Sequence, residues 1–316
     1  MFALRGLAVS LSVFVMVYCV LSLAVRLSWQ KLRRWSRNSP ARRSADLLFA
    51  LRMLPLATAA AITAAFTIPS FLLLEPRAVN EPLGAPPLLL GLFALAAGIS
   101  GISNVVIAWR QTSRTISAWT SGAESVPLPH SLPVLRISHP IPPMTAVGIV
   151  HPRILLSSSA ELLLTPAELN TALNHETAHF RSRDNLKKLV MHLVPFPGMR
   201  ALEAAWLDAT EMAADDAAVS TSSEALDLAS ALIKLSRLAP GSPAPELSLA
   251  LVHTNASILN ARVERLIGWN SARQQATPGW APWYSLAAGI ATAAGLVFTY
   301  SQLLARVHTA TEWLVR

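Results

Sequence analysis

Two histidines four residues apart with a glutamate beside the first, His175-Glu176-Thr177-Ala178-His179, are the part of this chain best equipped for chemistry, and Glu211-Met-Ala-Ala-Asp215 follows. Positions four apart share one face of an α-helix, so His175 and His179 can offer imidazole nitrogens to a single Zn2+. Glu176, one position round, can reach a water held at that metal. Zinc lowers the pKa of such a water toward neutrality, and a neighbouring carboxylate can take its proton as it attacks a carbonyl carbon. The chemistry this pattern predicts is metal-assisted peptide hydrolysis.

The flanking residues supply the elements that must hold these groups. Thr165-Pro166-Ala167-Glu168 reads as a capping box with proline at the first helical position, and Leu169, Ala172, Leu173 and Phe180 continue an apolar stripe. Pro195, Pro197 and Gly198 then break the chain, and a second helix is predicted over about Met199 to Val219. Glu211 on that helix would be the third metal ligand, with water fourth. Asp215, four residues on, would accept the free N–H of a ligand histidine and fix its tautomer. Glu203, Asp208 and above all Asp216 are near enough in sequence to compete for that role.

With these residues in hand, the chain resembles the BlaR/MecR family of bacterial membrane metallopeptidases, gluzincins of the antirepressor and β-lactam-sensor type. The carriers are Thr145-Ala-Val-Gly-Ile-Val-His-Pro-Arg-Ile-Leu-Leu-Ser157, Leu-Asn-His-Glu-Thr-Ala-His-Phe-Arg-Ser-Arg-Asp184, Glu-Met-Ala-Ala-Asp-Asp-Ala-Ala-Val219 and, more weakly, Asn260-Ala-Arg-Val-Glu-Arg-Leu266. The resemblance implies His175, His179 and Glu211 as zinc ligands, Glu176 as catalytic base and a transcriptional repressor as protein substrate. HtpX-type membrane peptidases share the ligand set, so quality-control cleavage of misfolded membrane proteins is the alternative enzyme reading. In gluzincins of similar layout the strand before the zinc helix is an edge that pairs with substrate, and Val147, Gly148 and Ile149 are its candidates here. An ordinary covered strand fits these residues equally. The antibiotic sensors of the family carry a penicillin-binding domain after their last span, whereas this chain ends at Arg316. Direct β-lactam sensing is therefore not expected.

Composition sets the stage independently. The chain is 53% hydrophobic and only 14% charged, too apolar for an ordinary soluble protein of its length. Four stretches are long enough to span a bilayer, at about 7–25, 53–74, 88–109 and 283–304, and none contains Asp, Glu, Lys or Arg. The first is read as an anchor rather than a cleaved leader. The predicted fold is thus four transmembrane helices plus a mainly α (α+β) gluzincin lobe with a small β-sheet. Its regions are a membrane part over 1–110, a lobe over 111–281 and a last span with short tail over 282–316. Short strands are expected at Val134 to Ile137, Thr145 to Ile149 and Ile154 to Ser157, after a linker over Ser117 to Pro133. Further helices are expected from Thr221 to about Leu238 and over Ser257 to Ile267.

The segment 26–46 carries Arg26, Lys31, Arg33, Arg34, Arg37, Arg42 and Arg43 against Asp46 alone, which assigns it and the lobe to the cytoplasmic side of a bacterial inner membrane, with both termini outside. The lobe itself holds 14 basic and 14 acidic residues between Arg110 and Ala281. The net charge of +8 therefore reflects membrane topology and anionic lipid rather than nucleic-acid binding. The single cysteine, Cys19, lies in the first span, so oxygen and nitrogen must hold any metal. The tyrosines, Tyr18, Tyr284 and Tyr300, all lie in or beside spans, so where the metal does not suffice a histidine or an arginine must stabilise the oxyanion; His192 and His253 could do so, and the sequence does not identify which residue does. A non-catalytic signalling module with structural zinc is the reading from outside enzymology. It would need a fourth protein ligand. Oligomeric state has no signature in the sequence.

Overall fold

A computed structural model describes residues 2–36, 39–76, 84–127, 130–138, 143–149, 151–238, 249–250, 256–269 and 299–313. Contacts divide the chain into two compact units. One comprises the described residues of Met1–Gln30, Ala50–Gly101 and Thr277–Arg316; the other those of Lys31–Phe49 and Ile102–Ala276.

The apolar sequence forms long helices: α1 (Phe2–Ser36), α2 (Ala41–Ile62), α3 (Ile68–Leu74) and α4 (Ala85–Thr120). Three stretches, Phe2–Lys31, Ala41–Leu74 and Ala85–Thr120, are long and apolar enough to cross a membrane. The basic segment 26–46, expected as a loop, is helical over 26–36 and again from Ala41. Arginine and lysine are good helix formers, and nothing before Ser39-Pro40 compels a break. The predicted fourth span falls largely outside the described residues, but 299–313, expected to end in a short tail, is helical.

Proline explains the one irregularity in the second stretch. Pro69 has no N–H to give the carbonyl of Ala65, and the chain widens into a π-turn at Thr63–Thr67 immediately before it. Tyr300 Oη donates to that carbonyl at 2.7 Å, within the first unit. Close helix approach in the same unit uses small residues: a Cβ on Gly91 would lie 3.5 Å from Ala8. Arg5 and Glu75 pair there at 3.0 Å.

The second unit is built on a five-stranded sheet of order β1-β2-β4-β3-β5, comprising β1 (Glu124–Val126), β2 (Val134–Ile137), β3 (Met144–Val147), β4 (Arg153–Ser157) and β5 (Leu249–Ala250). β2 and β4 run parallel and the remaining pairs antiparallel. Side chains alternate as the pleat dictates. Val134, Met144, Ile154 and Leu156 enter the main core with Leu173, Leu228, Leu232 and Leu235. On the other face, Ile137, Val147 and Leu155 meet Ile116 and Trp119 near the end of α4. The expected linker is thus partly the last turn of α4 and partly β1.

Helices α5 (Ser158–Leu163), α6 (Pro166–Arg181), α7 (Asp184–Leu193), α8 (Arg200–Ala218), α9 (Ser222–Leu238) and α10 (Ala256–Ile267) complete the unit. α6 begins at the expected capping box: Thr165 Oγ1 accepts the Glu168 N–H at 3.3 Å, and Glu168 Oε2 accepts the Thr165 N–H at 2.8 Å. Glu168 also binds Lys234 and Ser230 of α9, which fastens the start of the motif helix to its neighbour. α7 was not expected as a separate helix. It is set off by Arg183, whose φ of 53° reverses the chain without glycine or proline. At the start of α2, Asp46 pairs with Lys187 at 3.2 Å, and Lys187 lies over the Phe49 ring.

Burial raises the pKa of Glu168, but Lys234, Ser230 and the Thr165 N–H outweigh it and hold the carboxyl at about 2 against an ordinary 4.5. A depressed carboxyl contributes stability that is complete above its unfolded pKa and lost as pH falls through the folded one. Glu168→Gln should therefore lower the thermal midpoint at neutral pH and flatten the acid limb from pH 4.5 toward 2, as read by melting curves across that range.

Candidate metal centre

α6 and α8 pack directly together, and each presents its chemical groups to the seam. His175, Glu176 and His179 on α6 and Glu211 and Asp215 on α8 are all at most 3% exposed. Alanines at 178, 213, 214 and 218 are buried as well, and their small side chains suit so close a helix approach. Nε2 of His175 and Nε2 of His179 stand 3.1 Å apart. Glu211 places Oε2 3.6 Å from the first and Oε1 3.5 Å from the second. These three side chains form a buried group that could hold a metal ion.

Behind each imidazole sits a carboxylate. Asp215 Oδ1 lies 3.0 Å from His175 Nδ1, although the angle is poor for a hydrogen bond. Asp184 Oδ2 lies 3.0 Å from His179 Nδ1. Of the two candidate aspartates, Asp215 is the one that faces a motif histidine, while Asp216 turns away to Arg265 at 2.6 Å. Asp184 had been singled out only as the end of a motif run. The signal available was its position five residues beyond His179, at the start of the next helix.

Arg262 of α10 is the other residue that sequence reasoning passed over, having read it only within the weaker echo Asn260 to Leu266. Its guanidinium is 2% exposed and grips Asp215 through Nε at 2.8 Å and Nη2 at 2.7 Å. Nη1 lies 2.9 Å from Glu211 Oε2. Burial opposes charge on this arginine, yet Asp215 and Glu211 hold its pKa above the ordinary value. Burial likewise resists ionisation of Glu211, but Arg262 and the imidazoles bring it down to about 2. Asp215 is depressed for the same reasons, against its burial. His175 is pushed up to about 9 because Asp215 and Glu211 together overcome its desolvation.

The donor set fits a tetrahedral cation. Zinc–nitrogen bonds of about 2.0–2.1 Å at tetrahedral angles separate two ligand atoms by about 3.3 Å, close to the spacings above. Nδ1 of each imidazole faces a carboxylate, which favours the proton there and leaves Nε2 with a lone pair. Both Glu211 oxygens are buried and accept no well-formed hydrogen bond. Three donors brought this close need a proton or a cation between them, and two imidazoles with a carboxylate at tetrahedral spacing suit a metal ion.

Glu176 lies beside this point, fully buried. Its Oε2 accepts the N–H of Ala146 in β3, while Oε1 has no hydrogen-bond partner among the described residues. Burial raises its pKa, and Glu211 adds to that; the imidazoles and the Ala146 N–H oppose it. A raised carboxyl with one oxygen free can accept and return a proton.

Of the expected substrate strand, Val147 ends β3, Gly148 is a turn residue at φ 91° and Ile149 follows in a bend. A Cβ on Gly148 would stand 2.5 Å from the His151 carbonyl oxygen, so the β3–β4 turn itself demands glycine. β3 is not an open edge: β5 pairs with Thr145 and Ala146. Val147 to Ile149 lie beyond that register and, with His179, wall a cavity. His192 lies in α7, and His253 is outside the described residues.

Asp184→Asn should weaken zinc affinity by about 10–100-fold in a chelator competition titration, since it removes the acid behind His179. Arg262→Met leaves Glu211 and Asp215 buried without their cation and should destabilise the lobe by about 3–5 kcal/mol in denaturant melts. Saturating zinc should recover part of that loss, because it binds the folded state.

No curated protein matches the chain at a significant level. Residues 123–314 match the family model of peptidase family M48, more than half of the sequence and including the whole buried group. On that match the chain belongs to peptidase family M48, and is by membership a zinc metallopeptidase.

Proposed function

We propose that this protein is a membrane-embedded zinc endopeptidase that cuts a protein substrate at the cytoplasmic face of a bacterial inner membrane. The observation that carries the reading is the convergence of His175, His179 and Glu211 on one point with Glu176 free on one oxygen beside it. Three protein donors with an adjacent base suit a catalytic rather than a closed structural site. Zinc held by these three would supply Lewis acidity, lowering the pKa of a water there and polarising the scissile carbonyl.

The chain's own groups do the rest. Glu176 Oε1 takes the proton from the attacking water, and the bond to the Ala146 N–H keeps the carboxylate from rotating away. The same carboxyl then delivers the proton to the departing amine, which its raised pKa favours. Asp215 and Asp184 hold the two imidazoles, and Arg262 keeps Asp215 and Glu211 charged. Val147 to Ile149 are the proposed contact with the substrate backbone. The arginine-rich stretch 26–43 supports the cytoplasmic assignment. Likeness to the BlaR/MecR family supports a signalling role in which the substrate is a transcriptional repressor.

Glu176→Gln keeps the ligands and removes the base, so it should lower turnover by about 10^2–10^4-fold while zinc content stays unchanged. New protein N-termini should be compared by mass spectrometry between cells carrying wild type and this variant. A single cut in a cytosolic DNA-binding protein supports antirepressor proteolysis, whereas many cuts in damaged membrane proteins move the role to quality control. Identical profiles would set the peptidase reading aside in favour of a signalling module.

A further inference from the structure

A cavity of about 430 Å3 opens beside the metal centre. One wall is the end of β3 and its turn, the other the junction of α6 and α7, with the ligand His179 between them. Three charged residues besides that histidine line it: Arg181, Arg183 and Asp184. Asp184 is already committed, 2% exposed and facing His179. Arg181 and Arg183 are exposed, and neither guanidinium has a hydrogen bond or ion pair among the described residues. Arg181 also borders a smaller cavity with Asn174 and Ala217, so the two guanidiniums are a local positive excess at the α6–α7 junction of a lobe whose sequence as a whole balances its charges.

The backbone adds a second observation. Arg183 stands at φ 53° and ψ 37°, a left-handed conformation that glycine or asparagine would take with less strain. A non-glycine residue kept in such a region at the mouth of a site points to a use for its side chain. Asn185 Nδ2 donates to the Ala146 carbonyl at 3.4 Å, which ties the start of α7 to β3 at this cavity.

We infer that this cavity receives an acidic side chain of the substrate, with Arg181 and Arg183 as the residues that select it. The inference rests on the peptidase reading and names the substrate class for that same site. A carboxylate entering here meets two guanidinium forks whose geometry suits bidentate binding, next to the bond to be cut.

The full-length protein, loaded with zinc in nanodiscs, would be assayed with quenched fluorescent peptides that differ only by Glu, Gln or Lys at each position around the cut. At one position the kcat/KM ratio of Glu to Gln peptide should exceed about tenfold, the scale of a charged hydrogen bond. In the double variant Arg181→Gln, Arg183→Gln that ratio should fall to about one, and Arg183→Glu should turn the preference toward Lys. Arg183→Gly should raise the thermal midpoint by relieving the backbone while still lowering the ratio, which separates loss of charge from loss of fold. A wild-type ratio near one at every position, or a ratio the double variant leaves untouched, would overturn the inference.

Anisotropy of the labelled peptides on Glu176→Gln protein distinguishes the two layers of argument. Charge-dependent binding without hydrolysis by wild type would keep the acidic subsite and remove the peptidase; hydrolysis with charge-blind binding and turnover would do the reverse. Rates that follow the phosphatidylglycerol content of the nanodisc through these arginines, with the peptide ratio constant, would assign them to lipid head groups and also overturn it.

Discussion

Burying acids is the constraint on which this structure turns. Glu176, Glu211 and Asp215 are withdrawn from water within a few ångströms of two imidazoles, and Arg262 is the buried guanidinium that answers the last two. One guanidinium does not balance three carboxylates; without a metal the rest falls to protons on His175 and Glu176, both of whose pKa values are raised, and unpaired charge in a protein interior costs several kcal/mol per group. A divalent cation among the Nε2 and carboxylate donors offsets the remainder. The capping box that aims α6, the alanine seam that lets α8 approach it and the strand amide that holds Glu176 all serve to keep these groups where a cation relieves them.

The lobe can sustain this because its core lies close by. α6 packs against α8 and α9 and also meets β3. Its buried Ala172 and Leu173 join the main core, while the chemical residues of the next turns face α8. A sheet packed on both faces and a helix fixed at its first turn by Lys234 give the histidines little freedom. Rigid support of this kind is what holds a ligand set to within a fraction of an ångström.

Much of this was legible in the sequence where the cause is local. Thr165 and Glu168 specify their cap by chemistry three residues apart, and the strands near 134, 145 and 154 carry their own alternation. Where the cause is distant or unsignalled, legibility fails. Asp215 and Asp216 are about 100° apart on one helix, and only the position of α6 decides which is the partner of His175. The break before α7 falls at an arginine, with neither glycine nor proline to announce it. Arg262 meets Asp215 from 47 residues away, and arginine is ordinarily a surface residue. Whether β3 is an open edge or a covered strand is not legible either: β5 covers Thr145 and Ala146, and two residues of β5 leave no pattern to read.

The distance of Arg262 from the motif has a consequence for biosynthesis. A ribosome that has released His175, His179 and Glu211 has still to add some 50 residues before α10 can form. Until then Glu211 and Asp215 have no guanidinium to enter the interior with, and α8 has reason to keep its acids hydrated rather than close on α6. The centre is thereby assembled late, so a chain cut short before α10 carries the whole motif yet lacks the ion pair that lets the motif fold. For a hydrolytic site, this amounts to a completeness check written into the order of translation.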